Sequence, residues 1–343
     1  LPITDAVILA GGFGTRLRPL TARTPKPLLG VGGRPFLESL FIRLASAGVK
    51  RVVLSVHHQA GELRKALPGL RRFSLDVSLR RETRPLGTGG AIRFAWPDPA
   101  RPCLVLNGDV LSDFDLRDLQ RAHRAGRAAA TLWVVPMEDT RAFGVVETDR
   151  RMRVTRFVEK PRPGQSASRL INAGLYALEP GVLDHIPAGR AVSVEREVFP
   201  ALLKAGLRVQ ASKGAGPAYW NDIGTPAAYL RANLDLLQGR LWRGKGLAVA
   251  LWGHPDRAGN LVAASARIDR GAHVAFSVLG PDCRVEAGAS VRGCVFQKDC
   301  RVSAGARLEG VLLSEGVRVG ARCELKPGAV LGARSRLADD TRL

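Results

Sequence analysis

A chain of 343 residues, 45% of them hydrophobic, is long enough for two domains and a substantial core. Its net charge of +21 is spread along the whole sequence, without a Lys/Arg block or interleaved aromatics, which argues against a dedicated nucleic-acid-binding segment. No stretch nears the ~20 apolar residues of a membrane span, and five cysteines without a CxxC pair argue against a disulfide or zinc framework.

The first two-thirds alternate strand and helix. Strands are predicted over 6–10, 51–56, 77–81, 103–106 and 129–135, and helices over 35–47, 61–67, 89–94 and 115–125. This βαβα rhythm predicts a mostly parallel α/β sheet with helices on both faces. Ligands bind such sheets beyond the C-terminal ends of their strands. The glycines at 11, 12 and 14 and the aspartate of Asn107-Gly108-Asp109 lie at such ends. Arg117, Arg121 and Arg124, at helical spacing, read as a solvated helix face.

The opening stretch, AVILAGGFGTRLRPLTARTPKPLLG at 6–30, has the composition of a phosphate loop. It fits neither G-x-x-x-x-G-K-[ST] nor G-x-G-x-x-G. Its glycines leave backbone N–H groups accessible. Arg16 and Lys26 can neutralise a triphosphate, and Pro25 and Pro27 restrict the chain around Lys26. GRLWRGKG at 239–246 lacks the Ser/Thr of a P-loop and reads as a chance match.

After residue 237 the alternation stops. A connector is expected over 238–257, and from 258 the sequence repeats. Ile268, Val285, Val302 and Val319 are spaced by 17, as are Val274, Val291, Leu308 and Leu325. Apolar residues six apart within such a period predict a solenoid of short flat faces, resembling the left-handed β-helix of hexapeptide repeats. Cys283 and Cys300 fall one coil apart and are expected as stacked buried thiols. His273 reads as a structural residue. The expected domains are therefore 1–237, the connector 238–257, and 258–343.

Seven stretches occur in the order known from one family: GGFGTRLRPLT with TPKPLL, ETRPLGTGGAI (82–92), LNGD (106–109), FGVVE (143–147), FVEKP (157–161), INAGLY (171–176) and WNDIGTPAAY (220–229). Together they resemble the sugar-1-phosphate nucleotidyltransferases over essentially the whole chain. The resemblance implies a GT-A-like catalytic domain of the α/β class, on a Rossmann-like mixed, mostly parallel sheet, followed by a left-handed β-helix of hexapeptide repeats. It also implies nucleotide contacts at Leu9, Gly11, Gly12, Gly14, Thr15, Arg16, Lys26, Glu82, Gly87 and Thr88. Sugar-phosphate contacts are implied at Gly144, Glu159, Lys160 and Asn172, and a Mg²⁺ held by Asp109 and Asp222. Arg16, Lys26 and Lys160 are the implied catalytic cations. Arg18 has no counterpart role.

Glu82 matches the site that reads the base. A carboxylate can only accept hydrogen bonds. Guanine offers two adjacent donors, whereas uracil and thymine place one donor between two acceptors, so GTP is the expected nucleotide. SVEREVFPAL (193–202) resembles mannose-1-phosphate guanylyltransferases, while PFLESL and PLGTGGAI resemble heptose-1-phosphate guanylyltransferases. Mannose 1-phosphate is the expected acceptor, with heptose and glucose 1-phosphates as alternatives. The expected reaction is in-line attack of the sugar-phosphate oxygen on the α-phosphorus, releasing pyrophosphate. Rival readings are a silent nucleotide-sugar-binding regulator and a hexapeptide acyltransferase. No specific nucleic acid, no membrane partner and no signal peptide are expected. A cytoplasmic homo-oligomer, assembled through the solenoid, is.

Overall fold

The first apolar run forms strand β1 (Asp5–Leu9), with Ala6, Val7 and Ile8 fully buried. The computed structural model describes residues 2–70, 73–214, 216, 218–241 and 254–343. Most of the expected connector, and of the GRLWRGKG stretch, lies outside the described residues. The chain divides into two compact units, Leu1–Phe13 with Ser39–Trp220, and Gly14–Glu38 with Asn221–Leu343.

The first unit holds a nine-stranded sheet. After β1 come β2 (Arg51–Val56), β3 (Asp76–Arg81), β4 (Cys103–Asn107), β5 (Ala130–Pro136), β6 (Gly144–Thr148), β7 (Val154–Glu159), β8 (Leu170–Leu178) and β9 (Val209–Ser212). The spatial order β7-β6-β8-β4-β1-β2-β3 has β5 pairing β8, and β9 pairing β5. β1 lies parallel to β2 and β4, β2 parallel to β3, and β9 parallel to β5. β8 runs antiparallel to β4, β5 and β6, which makes the sheet mixed.

Central strands such as β1 and β4 are apolar on both faces, as expected where helices cover both sides. The helices are α1 (Phe36–Ser46), which begins in one unit and ends in the other, α2 (Ala60–Leu70), α3 (Gly87–Ala95), α4 (Leu116–Gly126) and α5 (Phe199–Lys204). Asp115 caps α4 by accepting from Arg117 N. On its outer face Arg117 pairs with Asp115 and Arg121 with Asp118, both arginines well exposed, so these pairs contribute little stability. The main core runs through Val7, Val53, Ile92, Trp96, Val105, Tyr176 and Phe199.

In the second unit, Thr225 caps α6 (Pro226–Leu237) by accepting from Ala228 N, with Pro226 at the first helical position. A Thr-Pro start satisfies one orphan donor and removes another, which accounts for IGTPAAY. The repeats form three parallel ladders of two- and three-residue strands. Ile268, Val285 and Val302 stack in register with Val319, as the 17-residue spacing predicts. The last step departs from it. Val319 pairs Leu337 and Leu312 pairs Val330, a coil of 18, because one extra residue enters between Leu325 and Val330 around Pro327-Gly328. Inside lie Val285, Val291, Phe296, Val302, Leu308 and the thiols Cys283, Cys294, Cys300 and Cys323. Burial pushes the Cys294 thiol up to about 12. His273 is exposed, at the start of a strand stacked on Ser290.

Candidate active site

In the first unit a cavity of about 300 Å³ opens at the C-terminal ends of β1, β3 and β4. Leu9, Gly11, Gly12, Phe13, Glu82, Pro85, Leu86, Gly87, Thr88, Ala91, Asn107 and Asp109 line it. Three glycines bring these segments together. A Cβ on Gly108 would lie 2.5 Å from Leu9 O, so only glycine lets LNGD turn against β1 and deliver Asp109. A Cβ on Gly87 (φ +67°) would lie 2.5 Å from Val192 O, and one on Gly90 2.4 Å from Arg190 O. Val192 O also accepts from Gly89 N at 2.8 Å. The glycines of PLGTGGAI therefore dock α3 against segment 190–198.

Glu82 is 5% exposed. Its Oε1 accepts from the Ser55 hydroxyl at 2.8 Å, and its Oε2 from Leu86 N at 3.0 Å. Phe13, 48% exposed, rests against the rings of His57 and His58. Thr88 is committed inward: its hydroxyl donates to Glu195 Oε2 at 2.7 Å and accepts from Val194 N at 2.8 Å. The Thr88 side chain thus serves to join α3 to the segment bearing Glu195.

The expected sugar-phosphate residues belong to the same unit. Gly144 and Glu159 are cross-strand partners on β6 and β7, and a Cβ on Gly144 would meet Glu159 Oε2 at 2.8 Å. Lys160 has φ +51°, held by a 3.0 Å bond from its N–H to Phe143 O, and its ammonium is 4.0 Å from Glu159 Oε1. A lysine in the left-handed region costs about 1–2 kcal/mol, the kind of strain that functional positions retain. Asn172 sits where the β8–β5 register shifts before Tyr176. Its Oδ1 accepts from Gly174 N and its Nδ2 donates to the Tyr176 hydroxyl. Burial, then the Glu195 carboxylate, with smaller contributions from Glu159 and Asp109, drives the Tyr176 phenol well above its usual range, against the lowering hydrogen bond from Asn172. Asp109, Glu159 and Asn172 are thus all in electrostatic reach of one buried hydroxyl.

The second unit holds the other predicted group. Gly14 (φ +61°) opens the turn Thr15–Leu17, and its carbonyl accepts from the Thr21 hydroxyl at 2.7 Å. Lys26 starts a turn after Pro25 and is largely buried, with Nζ 3.8 Å from Asp222 Oδ1. Arg16, 69% exposed, places Nη2 4.0 Å from Asp222 Oδ2. A Cβ on Gly224 would lie 2.8 Å from that Nη2, so the guanidinium lies close over the WNDIG turn. Arg18 is exposed. Asp109 and Asp222 present carboxylate oxygens, the hard donors Mg²⁺ takes. No group of three or more His, Cys, Asp or Glu side chains suited to a metal occurs among the described residues.

The Nucleotidyl transferase family model matches residues 5–239, more than half of the chain. The chain belongs to the nucleotidyl transferase family. A second model, GlmU-like C-terminal hexapeptide, matches 254–337, the stacked coils. This nucleotidyl transferase is 43% identical over 270 residues to the mannose-1-phosphate guanylyltransferase of Mycobacterium tuberculosis, covering 78% of this chain and 72% of that protein. It is 38% identical to mannose-1-phosphate guanyltransferase beta-A of Xenopus laevis, covering 68% of this chain and 64% of that one, so it spans a little under two-thirds of the latter. Among solved structures, HddC from Yersinia pseudotuberculosis complexed with GMP-PN is 30% identical, with a TM-score of 0.56, covering 67% of this chain and 98% of that one.

Sequence reasoning did not single out Ser55, Glu195 or Tyr176. Ser55 was detectable as the one hydroxyl in an otherwise apolar strand end, LSV. Glu195 lay within a quoted motif without a role.

Proposed function

We propose that this nucleotidyl transferase joins GTP and a sugar 1-phosphate, mannose 1-phosphate first, to give a GDP-sugar and pyrophosphate. One observation carries the reading: a single cavity at the strand ends holds the glycine loop, the Glu82 carboxylate and Asp109 together. The relatives named as mannose-1-phosphate guanylyltransferases support the substrate pair.

The sugar-phosphate oxygen attacks the α-phosphorus in line, and the bond to pyrophosphate breaks. The attacking phosphate is already ionised, so positioning and charge stabilisation carry the rate. Leu9, Gly11, Gly12 and Gly87 shape the cavity for the nucleoside, with Gly14 and Thr15 at the phosphate turn. Glu82 selects the base. Arg16 and Lys26 neutralise the triphosphate and the departing pyrophosphate. Lys160 anchors the incoming phosphate, while Glu159, Asn172 and the backbone at Gly144 take sugar hydroxyls. Asp109 and Asp222 are the proposed Mg²⁺ ligands, and the ion supplies charge neutralisation on phosphate oxygens.

We also place the enzyme in a reducing cytoplasm, on the ground that Cys103, Cys283, Cys294, Cys300 and Cys323 are all free and buried. Self-association through the solenoid remains part of the proposal; light scattering of the purified chain checks it. The decisive assay is pyrophosphate release with GTP, ATP, CTP, UTP and dTTP against mannose, glucose and heptose 1-phosphates. GTP with mannose 1-phosphate is expected to be fastest. Preference for another nucleotide, or no release with any pair, overturns the reading.

A further inference from the structure

A carboxylate on a flexible side chain makes a poor selector, because its acceptor positions turn with each rotamer. Glu82 is held at every level. Its N–H donates to Val56 O at 2.7 Å, and its carbonyl lies 3.1 Å from His57 Nδ1. The Ser55 hydroxyl and Leu86 N–H each take one carboxylate oxygen. Ser55 is fully buried, on β2 beside Leu9 of β1. A Cβ on Gly11 would lie 3.0 Å from Glu82 Oε1, so the first loop glycine leaves that oxygen its place. A carboxylate offers about four acceptor positions. Two are consumed inside the protein, and the rest belong to a group that lines the cavity.

We propose that Ser55 is a positioning residue for nucleotide selection: together with Leu86 N–H it fixes the Glu82 carboxylate so that its remaining acceptor positions match guanine's N1–H and 2-amino donors. The proposal rests on the reading of Glu82 as the base selector. It assigns discrimination to a buried hydroxyl whose hydrogen bond goes to the residue that does the reading. Removing Ser55 keeps the Glu82 side chain but leaves one of its oxygens unheld.

The test uses the full chain with the sugar 1-phosphate that turns over fastest. GTP, ITP (which lacks the 2-amino group) and UTP are compared by pyrophosphate release in wild type, Ser55→Ala, Ser55→Cys and Glu82→Gln. Ser55→Ala is expected to raise KM for GTP about tenfold, the loss of one hydrogen bond to a charged group, with a smaller change in kcat. It also shrinks both the GTP/UTP and GTP/ITP ratios of kcat/KM, and Ser55→Cys, with its weaker donor, falls between. If Ser55→Ala keeps those ratios, whether activity is retained or drops equally for all three nucleotides, Ser55 is structural and the proposal fails. Glu82→Gln separates the two failures. Wild-type ratios in Glu82→Gln overturn the reading of Glu82 itself. Collapsed ratios there, with Ser55→Ala unchanged, overturn only the role of Ser55. The nearly isosteric Cys variant gives the answer should the Ala variant not fold.

Discussion

The cavity of the first unit and the solenoid both depend on glycine, but they use it differently. In the solenoid the device repeats. Gly271, Gly288 and Gly305 all have positive φ, as do Asp282 and Asp299, each set at the coil period. In the cavity every instance is single. Gly87, Gly90 and Gly108 each face a different carbonyl, those of Val192, Arg190 and Leu9. A repeated contact answers to its neighbouring coils and sets stability. A contact made once sets the placement of a particular functional group. Substitutions in the solenoid should therefore read out in unfolding, and those around the cavity in kinetics.

The largest effect that tests this division is Leu308→Ala. Leu308 is 2% exposed between Val291 and Leu325, and its truncation leaves a cavity costing about 2–5 kcal/mol. Urea unfolding should register the loss while kcat/KM per folded molecule stays within twofold; a matching fall in kcat/KM would break the comparison. Lys160→Gly should show the reverse. Losing the cation proposed to hold the attacking phosphate should cost about 10²-fold or more in kcat/KM. Glycine meanwhile relieves a backbone at φ +51°, so stability should rise by about 1 kcal/mol. A variant both inactive and less stable would mean that Lys160 is a structural residue.

The same distinction explains what could be read from the sequence. The solenoid was legible to the register, because 17-residue spacing states which side chains stack. Only the extra residue near Pro327 escaped, since one insertion in one coil has no repeat to reveal it. Five strands of the first sheet, with four of its helices, were also legible from apolar runs and glycine breaks. The four later strands β6 to β9 were not predicted, and INAGLY in β8 carries no signal of its antiparallel direction. For the site, motif residues could be listed, but not what each holds. Thr88 is expected as a nucleotide contact and lines the cavity, but its hydroxyl bonds to Glu195 and Val194 could not be read from the motif. Ser55 and Glu82 stand 27 positions apart, and only the parallel β2–β3 pairing makes them neighbours.

A smaller, paired test replaces one glycine in each region by alanine. At Gly288 (φ +74°) the nearest atom to a new Cβ is 3.6 Å away, so only backbone strain is added, about 1–2 kcal/mol, with nucleotide KM unchanged. At Gly90 the new Cβ meets Arg190 O at 2.4 Å, and α3 must move off segment 190–192. KM for GTP should then rise several-fold for a comparable loss in Tm. Equal KM values in the two variants would show that α3 docking is only structural.

The smallest effect concerns Glu159, whose carboxyl is raised above its ordinary value, first by burial and then by the Glu195 carboxylate. Raised in the fold, it binds more protons there than in the unfolded chain. Its contribution to stability therefore falls as pH climbs from the unfolded value through the folded one. Glu195→Gln removes the negative neighbour and keeps an oxygen that can still accept from the Thr88 and Ser193 hydroxyls. The upward shift should shrink, flattening the stability slope in that acid window. The acid limb of kcat/KM for the sugar 1-phosphate should move to lower pH, while the substrate's own phosphate titration is common to both enzymes and cancels. Asp299 in the solenoid is shifted the opposite way, downward, chiefly by its hydrogen bond from Arg318. Arg318→Ala should leave the kinetic limb where it is. An acid limb that moves with Arg318→Ala and not with Glu195→Gln would refute the assignment of kinetics to one region and stability to the other.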